Sequence, residues 1–416
     1  MKNEYPHRGS ELLHRLTRRL QSCVWGRIGG AGGGGGTTRV PAFSAPAFLL
    51  RMNRLRIAYV CHWNAFVEDG VVRKIGAQVR VWRSLGAEVE VFCVSRAPVS
   101  PGPPKLGGMT FSYRRPLVGR FRATRALART TLRWQPDVVY LRYSLFFPPP
   151  VALVRRIPTA VEINGHDRRQ YRSRGRRVTL YNELNRSLIL SNAAGLVFVS
   201  EELASLPDFT RWRKPAVVVA DGIDLAVAAP LPPANNDRPR VVLLVGSPGP
   251  WHGVDKMIWL ARALPEMDFE LVGVDPGSVG HPPPNLTTHP FLSRRDYEPI
   301  LRRSDVALGT LALHRNEISE APTAKVREYL LYGLPVIIAY DDPDLRDPLW
   351  FVLRLPNTES NVRDHLEKIR QYVADVAGRR VPRALVADRI NIAVKEPHRL
   401  RFLDEVGARL NQSRKT

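Results

Sequence analysis

The sequence predicts an α/β protein of two doubly wound domains in tandem, each built on a parallel sheet. Three observations predict it. Short unbroken apolar runs alternate with longer amphipathic stretches, the alternation occurs twice, and a Pro/Ala/Asn-rich stretch stands between the two series. The 416 residues give room for two domains of ordinary size, and 44% hydrophobic residues can fill two cores.

In chain order, 57–61 (Ile-Ala-Tyr-Val-Cys) reads as a strand buried on both faces, because a continuous apolar run of that length has no polar side to expose. A loop through Gly70 leads to a helix over 72–84, which Gly86 closes before a strand over 89–94. Further strands are expected at 138–141, 159–163 and 195–199, and an apolar run over 217–220 leads out of the series. Strands linked through helices run parallel, so this series is a Rossmann-like domain over 53–220. Asp221-Gly222-Ile223-Asp224 then opens a linker over 221–239. A second Rossmann-like domain over 240–385 repeats the scheme, with strands at 241–245, 269–274, 305–310 and 336–340 and a helix over 254–264. Helical sequence runs over 362–410, its last part a C-terminal helical tail over 386–416.

Residues 1–52 differ from the rest. An arginine-rich stretch over 11–27 precedes a glycine run over 29–36 that cannot pack, so the segment is expected to be a disordered extension. A mitochondrial-type presequence is the alternative, since the segment lacks the apolar core of a secretory signal. No stretch reaches the roughly 18 apolar residues of a membrane-spanning helix. Cys23, Cys61 and Cys93 form no CxxC pair, which speaks against structural zinc and for a reducing compartment.

The net charge of +23 is unevenly placed: +6 over 1–52, +17 over 53–220 and zero over 221–416. Such a field concentrates anionic partners on the first domain. No aromatic RNA-recognition motif, zinc-finger spacing or helix-turn-helix accompanies it, so no nucleic-acid partner is expected.

The densest chemistry lies at 320–336, where Glu320 and Glu328 flank Lys325. Pro322 suits a first helical turn, Gly333 a helix stop, and Val336-Ile337-Ile338 a buried strand. A helix N-terminus in such a unit can hold an anion, and its carboxylates can accept sugar hydroxyls. The arrangement resembles the E-x7-E segment of the retaining glycosyltransferases of family 4, which have the GT-B fold: two Rossmann-like domains facing each other across a cleft. In that family the first glutamate faces the donor sugar and the second binds the nucleotide ribose, which implies those roles for Glu320 and Glu328. Glu317 competes with Glu320 for the sugar, and Pro322-Thr323-Ala324 departs from the family's usual Ser-Pro-aliphatic run.

Three other loops would close the same cleft. The resemblance sets Gly70, after the first strand, against the donor diphosphate. Asn164 and His166, in the polar cluster directly after strand 159–163, would hold the acceptor or the transferring sugar. In the loop from Gly246, relatives carry an arginine and a lysine that grip the diphosphate; here there is no arginine and His252 takes the lysine's place. Lys256 and Lys325 are the substitutes, and Gly246 keeps the backbone close. Departure of a diphosphate builds negative charge that cations and helix N-termini can neutralise without a metal, so no cofactor or metal is expected. Asp342-Pro343-Asp344 is too weak a signal to change that.

The resemblance implies a hexosyltransferase that moves a sugar, with retention, from a nucleotide-diphosphate sugar to a lipid-linked or glycan acceptor in envelope or exopolysaccharide synthesis. The alternatives are a nucleotide-sugar epimerase or hydrolase of the same fold, or a non-catalytic GT-B partner protein. Between 112 and 133 there are seven arginines and no acid, with Leu117, Phe121, Ala128 and Leu132 as an apolar stripe; six more arginines lie over 168–177. This pattern predicts attachment of the first domain to an anionic membrane surface, with the protein cytoplasmic and peripheral at the inner face of the plasma membrane.

Overall fold

The computed structural model describes residues 55–98, 102–145, 149–172, 175–246 and 249–413. The extension expected over 1–52 lies outside them. From the start of the described chain, β1 (Arg56–His62), α1 (Gly70–Ser84), β2 (Glu88–Arg96), β3 (Met109–Tyr113), α2 (Val118–Trp134), β4 (Val138–Arg142), α3 (Pro149–Arg156) and β5 (Thr159–Ile163) follow one another. Then come α4 (Asp167–Arg172), α5 (Arg176–Asn192), β6 (Gly195–Phe198), α6 (Glu201–Ser205), α7 (Pro207–Thr210) and β7 (Ala216–Val218). Their strands form one sheet in the order β3-β2-β1-β4-β5-β6-β7, parallel throughout. Residues 57–61 are fully buried, as an apolar run in a central strand requires.

The second series holds β8 (Arg240–Leu244), α8 (Val254–Ala263), β9 (Asp268–Val272), β10 (Leu286–His289), α9 (Arg294–Arg303), β11 (Val306–Leu308), α10 (Ala324–Tyr332), β12 (Val336–Ile338) and β13 (Val352–Arg354). These strands make a second parallel sheet, β10-β9-β8-β11-β12-β13. In both sheets the chain order reverses beside the first strand, at β1 and at β8, which is where such sheets open a crevice at their carboxyl ends.

Three features depart from the sequence reading. β3, β7, β10 and β13 were not expected. Pro322 precedes Thr323, which caps α10, so the proline lies outside the first helical turn. The helical sequence over 362–410 is divided into α11 (Asn361–Asp364), α12 (Leu366–Val376), α13 (Arg383–Ile390) and α14 (Ile392–Ser413). Gly333 does end α10, with φ +80°.

The chain passes between the sheets twice at one place. The amide of Ile223 donates to the Ile390 carbonyl (2.8 Å) and that of Ile392 to the Ile223 carbonyl (2.9 Å). A Cβ on Gly222 would come within 2.8 Å of Ile392 Cα, so this crossing admits only glycine there. Beyond it α14 leaves the second sheet and packs on the first. Leu400, Phe402, Leu403 and Val406 join the core of Ile57, Tyr59, Trp82 and Tyr140. Cys61 and Cys93 are buried free thiols in that core.

Candidate functional site

The loops beyond the carboxyl ends of the two sheets meet. A Cβ built on Gly70, the first residue of α1, would lie 3.7 Å from Ala324 Cβ, the first residue of α10. Two helix N-termini therefore face each other. The amides at the start of α1 are already answered: Asp69 Oδ1 accepts from Val71 and Val72 (both 2.9 Å), while its Oδ2 accepts from Trp63 Nε1 (2.7 Å). Asp69 thus caps the start of α1 beside Gly70. No side chain caps α10, because the Thr323 hydroxyl pairs with Tyr340 Oη (2.5 Å) instead. Of these two, α10 is the terminus left for an anion; α8, which follows Gly253, also has no side-chain cap.

Lys325 stands in the first turn of α10, 2.9 Å from His252 Nδ1. Burial lowers the ammonium to about 7. Gly246, at the end of β8, is exposed, with open space where a Cβ would stand. Lys256 is elsewhere. Its Nζ donates to the carbonyls of Leu311 (3.2 Å) and Thr358 (2.7 Å) and to Asn361 Oδ1 (2.9 Å), so all three protons are used inside the second domain. In this structure Lys256, expected to substitute in the diphosphate clamp, ties the loop after β11 to α11.

Glu328 lies one turn along α10 from Lys325. Arg294 grips its carboxylate as a fork (Nε–Oε1 and Nη2–Oε2, both 2.7 Å), Tyr297 Oη donates at 2.9 Å, and Arg73 of α1 reaches within 3.6 Å. Arg73 also donates to Tyr297 Oη (3.2 Å), so a first-domain cation completes a second-domain cluster. Nothing in the sequence marks Arg73, Arg294 or Tyr297.

Glu320 is nearly buried and engaged across the cleft. Its Oε2 accepts from the Glu202 amide (2.9 Å) and its Oε1 from Arg346 (2.5 Å). Glu202 Oε2 accepts in return from the amides of Ser319 (2.8 Å) and Glu320 (2.6 Å). Glu317 sits in the left-handed region (φ 54°), 61% exposed, 3.1 Å from Arg169. Both domains thus hold the 317–320 loop.

Asn164 belongs to a buried network. Its Oδ1 accepts from Lys74 (3.0 Å) and Arg142 (2.8 Å), and its buried Nδ2 has no partner. Lys74 and Arg142 also bond Glu162, each at 2.9 Å, and Lys74 reaches Asp221 at 2.5 Å. Burial alone would raise the Glu162 carboxyl, but Lys74 and Arg142 hold it well below the usual range. His166 is turned into its own domain, with Nε2 3.0 Å from Asp208 Oδ2 and its ring edge-on to Phe209. Burial, then Arg169, lowers its pKa. Asp342 and Asp344 are spent on the buried Arg327, and Asp344 also on Lys395 (2.5 Å).

The structure therefore brings together Gly70, His252, Lys325, Glu328 and Glu320. Asn164 joins them through Lys74 and Asp221, whose carbonyl receives Arg327 of α10 (3.1 Å).

Residues 69–222 match the glycosyl transferase 4-like domain family. No curated protein matches the chain. Among solved structures, sucrose-phosphate synthase from Thermosynechococcus elongatus is similar at 15% identity, with TM-score 0.56 over 87% of this chain and 98% of that one. HepE from Anabaena, in complex with UDP and glucose, is similar at 14% identity, with TM-score 0.57 over 85% of this chain and 100% of that one. The trehalose-6-phosphate synthase OtsA is similar at 13% identity, with TM-score 0.58 over 85% and 99%. These likenesses show the fold: it is GT-B.

Proposed function

We propose that the chain is a retaining glycosyltransferase, a hexosyltransferase that moves a sugar from a nucleotide-diphosphate sugar to a lipid-linked or glycan acceptor. The observation that carries this is the uncapped start of α10, with Lys325 in its first turn, Glu328 one turn on, and Gly70 facing it. One short helix then offers a diphosphate its amides and a ribose its carboxylate. The anomeric bond to the diphosphate breaks as the acceptor oxygen bonds the same face, and the acceptor proton leaves with the departing phosphate oxygen. Lys325 and the helix terminus hold the charge that develops. Because HepE binds UDP, UDP is the first nucleotide to try.

Thermal shift against UDP-, GDP-, ADP- and dTDP-sugars tests the reading, since a ligand of the native state raises the melting temperature. Glu328→Ala is expected to weaken the nucleotide found in this way by about 1.5–3 kcal/mol per ribose bond lost. Calorimetry that gives the same Kd for both proteins rejects the ribose role. Donor affinity is also expected to fall as pH rises above 7. In the empty cleft Lys325 deprotonates near there, whereas a bound diphosphate favours the ammonium, so binding takes up a proton and weakens up to tenfold per pH unit. A nucleotide sugar is the right probe, because its diphosphate does not titrate in this range; a flat pH profile rejects Lys325.

We further propose that the first domain docks on an anionic membrane at the inner face of the plasma membrane, where envelope glycan acceptors are held. No helix among the described residues is long and apolar enough to cross a membrane. On α2, Arg122, Arg125, Arg129 and Arg133 are exposed, and Leu117 (72% exposed), Val118 and Phe121 project beside them. The stripe ends there. Ala128 is buried and Leu132 packs on the core, while Arg120 turns inward to His62 and the Leu145 carbonyl. The 168–177 run is thinner than its sequence promises, since Arg168 pairs with Glu183 and Asp208, and Arg169 with Glu317. α5 compensates with Leu180 (65% exposed), Leu184 (60%) and Leu188 on its outer side, beyond exposed Arg176 and Arg177. α2 and α5 pack on the same face of the first sheet. Each basic residue at an anionic leaflet contributes roughly 1 kcal/mol. Co-sedimentation with liposomes is expected to need anionic lipid, to fade with salt, and to drop in the triple variant Arg122→Glu, Arg125→Glu, Arg129→Glu. Equal binding to neutral vesicles defeats the claim.

A further inference from the structure

A groove of about 450 Å³ opens beside the 317–320 loop, in the second domain. It lies beyond the carboxyl ends of β12 and β13, on the edge of the sheet that faces the cleft. Its volume falls within the range of small-molecule sites, roughly 300–1,000 Å³. It is continuous with the site already described: Ser319 is on its wall, and Asp341 donates its amide to the Ser319 carbonyl at 2.8 Å.

The lining divides by chemistry. Tyr340, Leu355 and Pro356 give an apolar floor, while Ser319, Asp341 and Asn357 offer hydroxyl, carboxylate and amide groups. Asn357 is fixed in place, since its Oδ1 accepts from the His314 amide and its Nδ2 donates to the Ile318 carbonyl, both at 2.9 Å. Arg354 and Lys368 supply positive charge. Arg354 is held by the Leu345 carbonyl (2.5 Å) and pairs with Asp341 at 3.7 Å, while its side chain stays 34% exposed. A guanidinium so placed keeps donors for a planar or tetrahedral anion. In a domain whose charges otherwise balance, two cations against one acid mark this groove out.

We infer that the groove is a subsite for an anionic sugar unit of the acceptor, carboxylated or phosphorylated. The apolar floor takes the ring's C–H face, Asp341 and Asn357 take hydroxyls, and Arg354 with Lys368 takes the charge. This rests on the glycosyltransferase reading for the word acceptor, but the groove's ligand can be measured alone. Calorimetry of the full chain with glucuronic acid, glucose 6-phosphate and glucose is the test. Saturable binding is expected for at least one of the two anions, at least tenfold tighter than for glucose, and the two anions distinguish a carboxylate from a phosphate. Arg354→Gln with Lys368→Gln is expected to weaken that anion at least tenfold, and the single exposed change Lys368→Glu, which leaves the fold alone, to weaken it severalfold. UDP binding should stay within twofold in both. Equal affinity for glucose and the anions, no saturable binding, or unchanged affinity in both variants overturns the inference. If the anion binds as expected and no nucleotide does, the groove stands and the glycosyltransferase reading falls.

Discussion

Glu396→Ala is expected to lower the unfolding free energy by about 3–5 kcal/mol, the loss typical of a buried ion pair deprived of one partner. Glu396 sits on α14 where the chain has returned to the first domain. Its carboxylate accepts from Trp82 Nε1 (2.8 Å), from Gln78 Nε2 (3.4 Å) and from Arg399. Arg399 is fully buried, and its other recorded bond goes to the Val219 carbonyl (2.9 Å), beside the crossing at Gly222. Without Glu396 the guanidinium loses its directly bonded carboxylate, with Glu162 the remaining buried acid acting on it, in a core lined by Tyr59, Trp82 and Tyr140, whose ring centroids lie 5.1–5.8 Å apart. Domains of this size keep only about 5–15 kcal/mol in total, so about a fifth or more of the stability would go. Guanidinium unfolding followed by tryptophan fluorescence measures it. The paired change Glu396→Leu with Arg399→Met is expected to recover most of the loss, because an apolar pair of similar volume needs no desolvated charge. A single variant within 1 kcal/mol of the parent would show that α14 is held by its leucines alone.

The parts of the fold that were legible in the sequence are those whose environment is uniform along the chain. Residues 57–61 and 159–163 lie in central strands covered on both faces, so the first is apolar from end to end and the second carries only Thr159 and the buried Glu162 as polar members. The four unexpected strands, β3, β7, β10 and β13, are all edge strands. An edge strand has one neighbour and a partly open side, so its sequence carries little periodic signal; Leu286-Thr287-Thr288-His289 is an example. The site divides in the same way. That Gly70, Glu320, Lys325 and Glu328 lie at or near the starts of helices could be read because helix starts and i to i+3 spacing are local. Their partners could not: Arg294 is 34 residues from Glu328, and Glu202 is 118 from Glu320. The carbonyls that take the Lys256 protons are equally remote, 55 and 102 residues away. Spacing identifies which side chains an element offers, and only the tertiary fold decides which of them are already bound.

Glu320→Gln is expected to reduce kcat by about 10²–10³-fold, the scale on which removing one group preorganised toward transition-state charge is felt. Breaking the anomeric bond gives the sugar oxocarbenium character, and an ionised carboxylate beside the ring favours it where a neutral amide does not. The structure adds a complication that the measurement must separate. Glu320 accepts from the Glu202 amide and from Arg346, and a glutamine can accept at only one of its two ends, so the substitution also loosens the join between the domains. Glu202→Gln supplies the control. It weakens the reciprocal bonds to the Ser319 and Glu320 amides without touching the Glu320 charge. If Glu320 acts on the sugar, Glu320→Gln lowers kcat far more than Glu202→Gln does and leaves the nucleotide Kd nearly unchanged, because the proposal assigns ribose and diphosphate to α10. If both variants lose the same activity, Glu320 is a latch between domains. If Glu317→Gln has the large effect and Glu320→Gln does not, the sugar-facing carboxylate is the exposed Glu317, which pairs with Arg169.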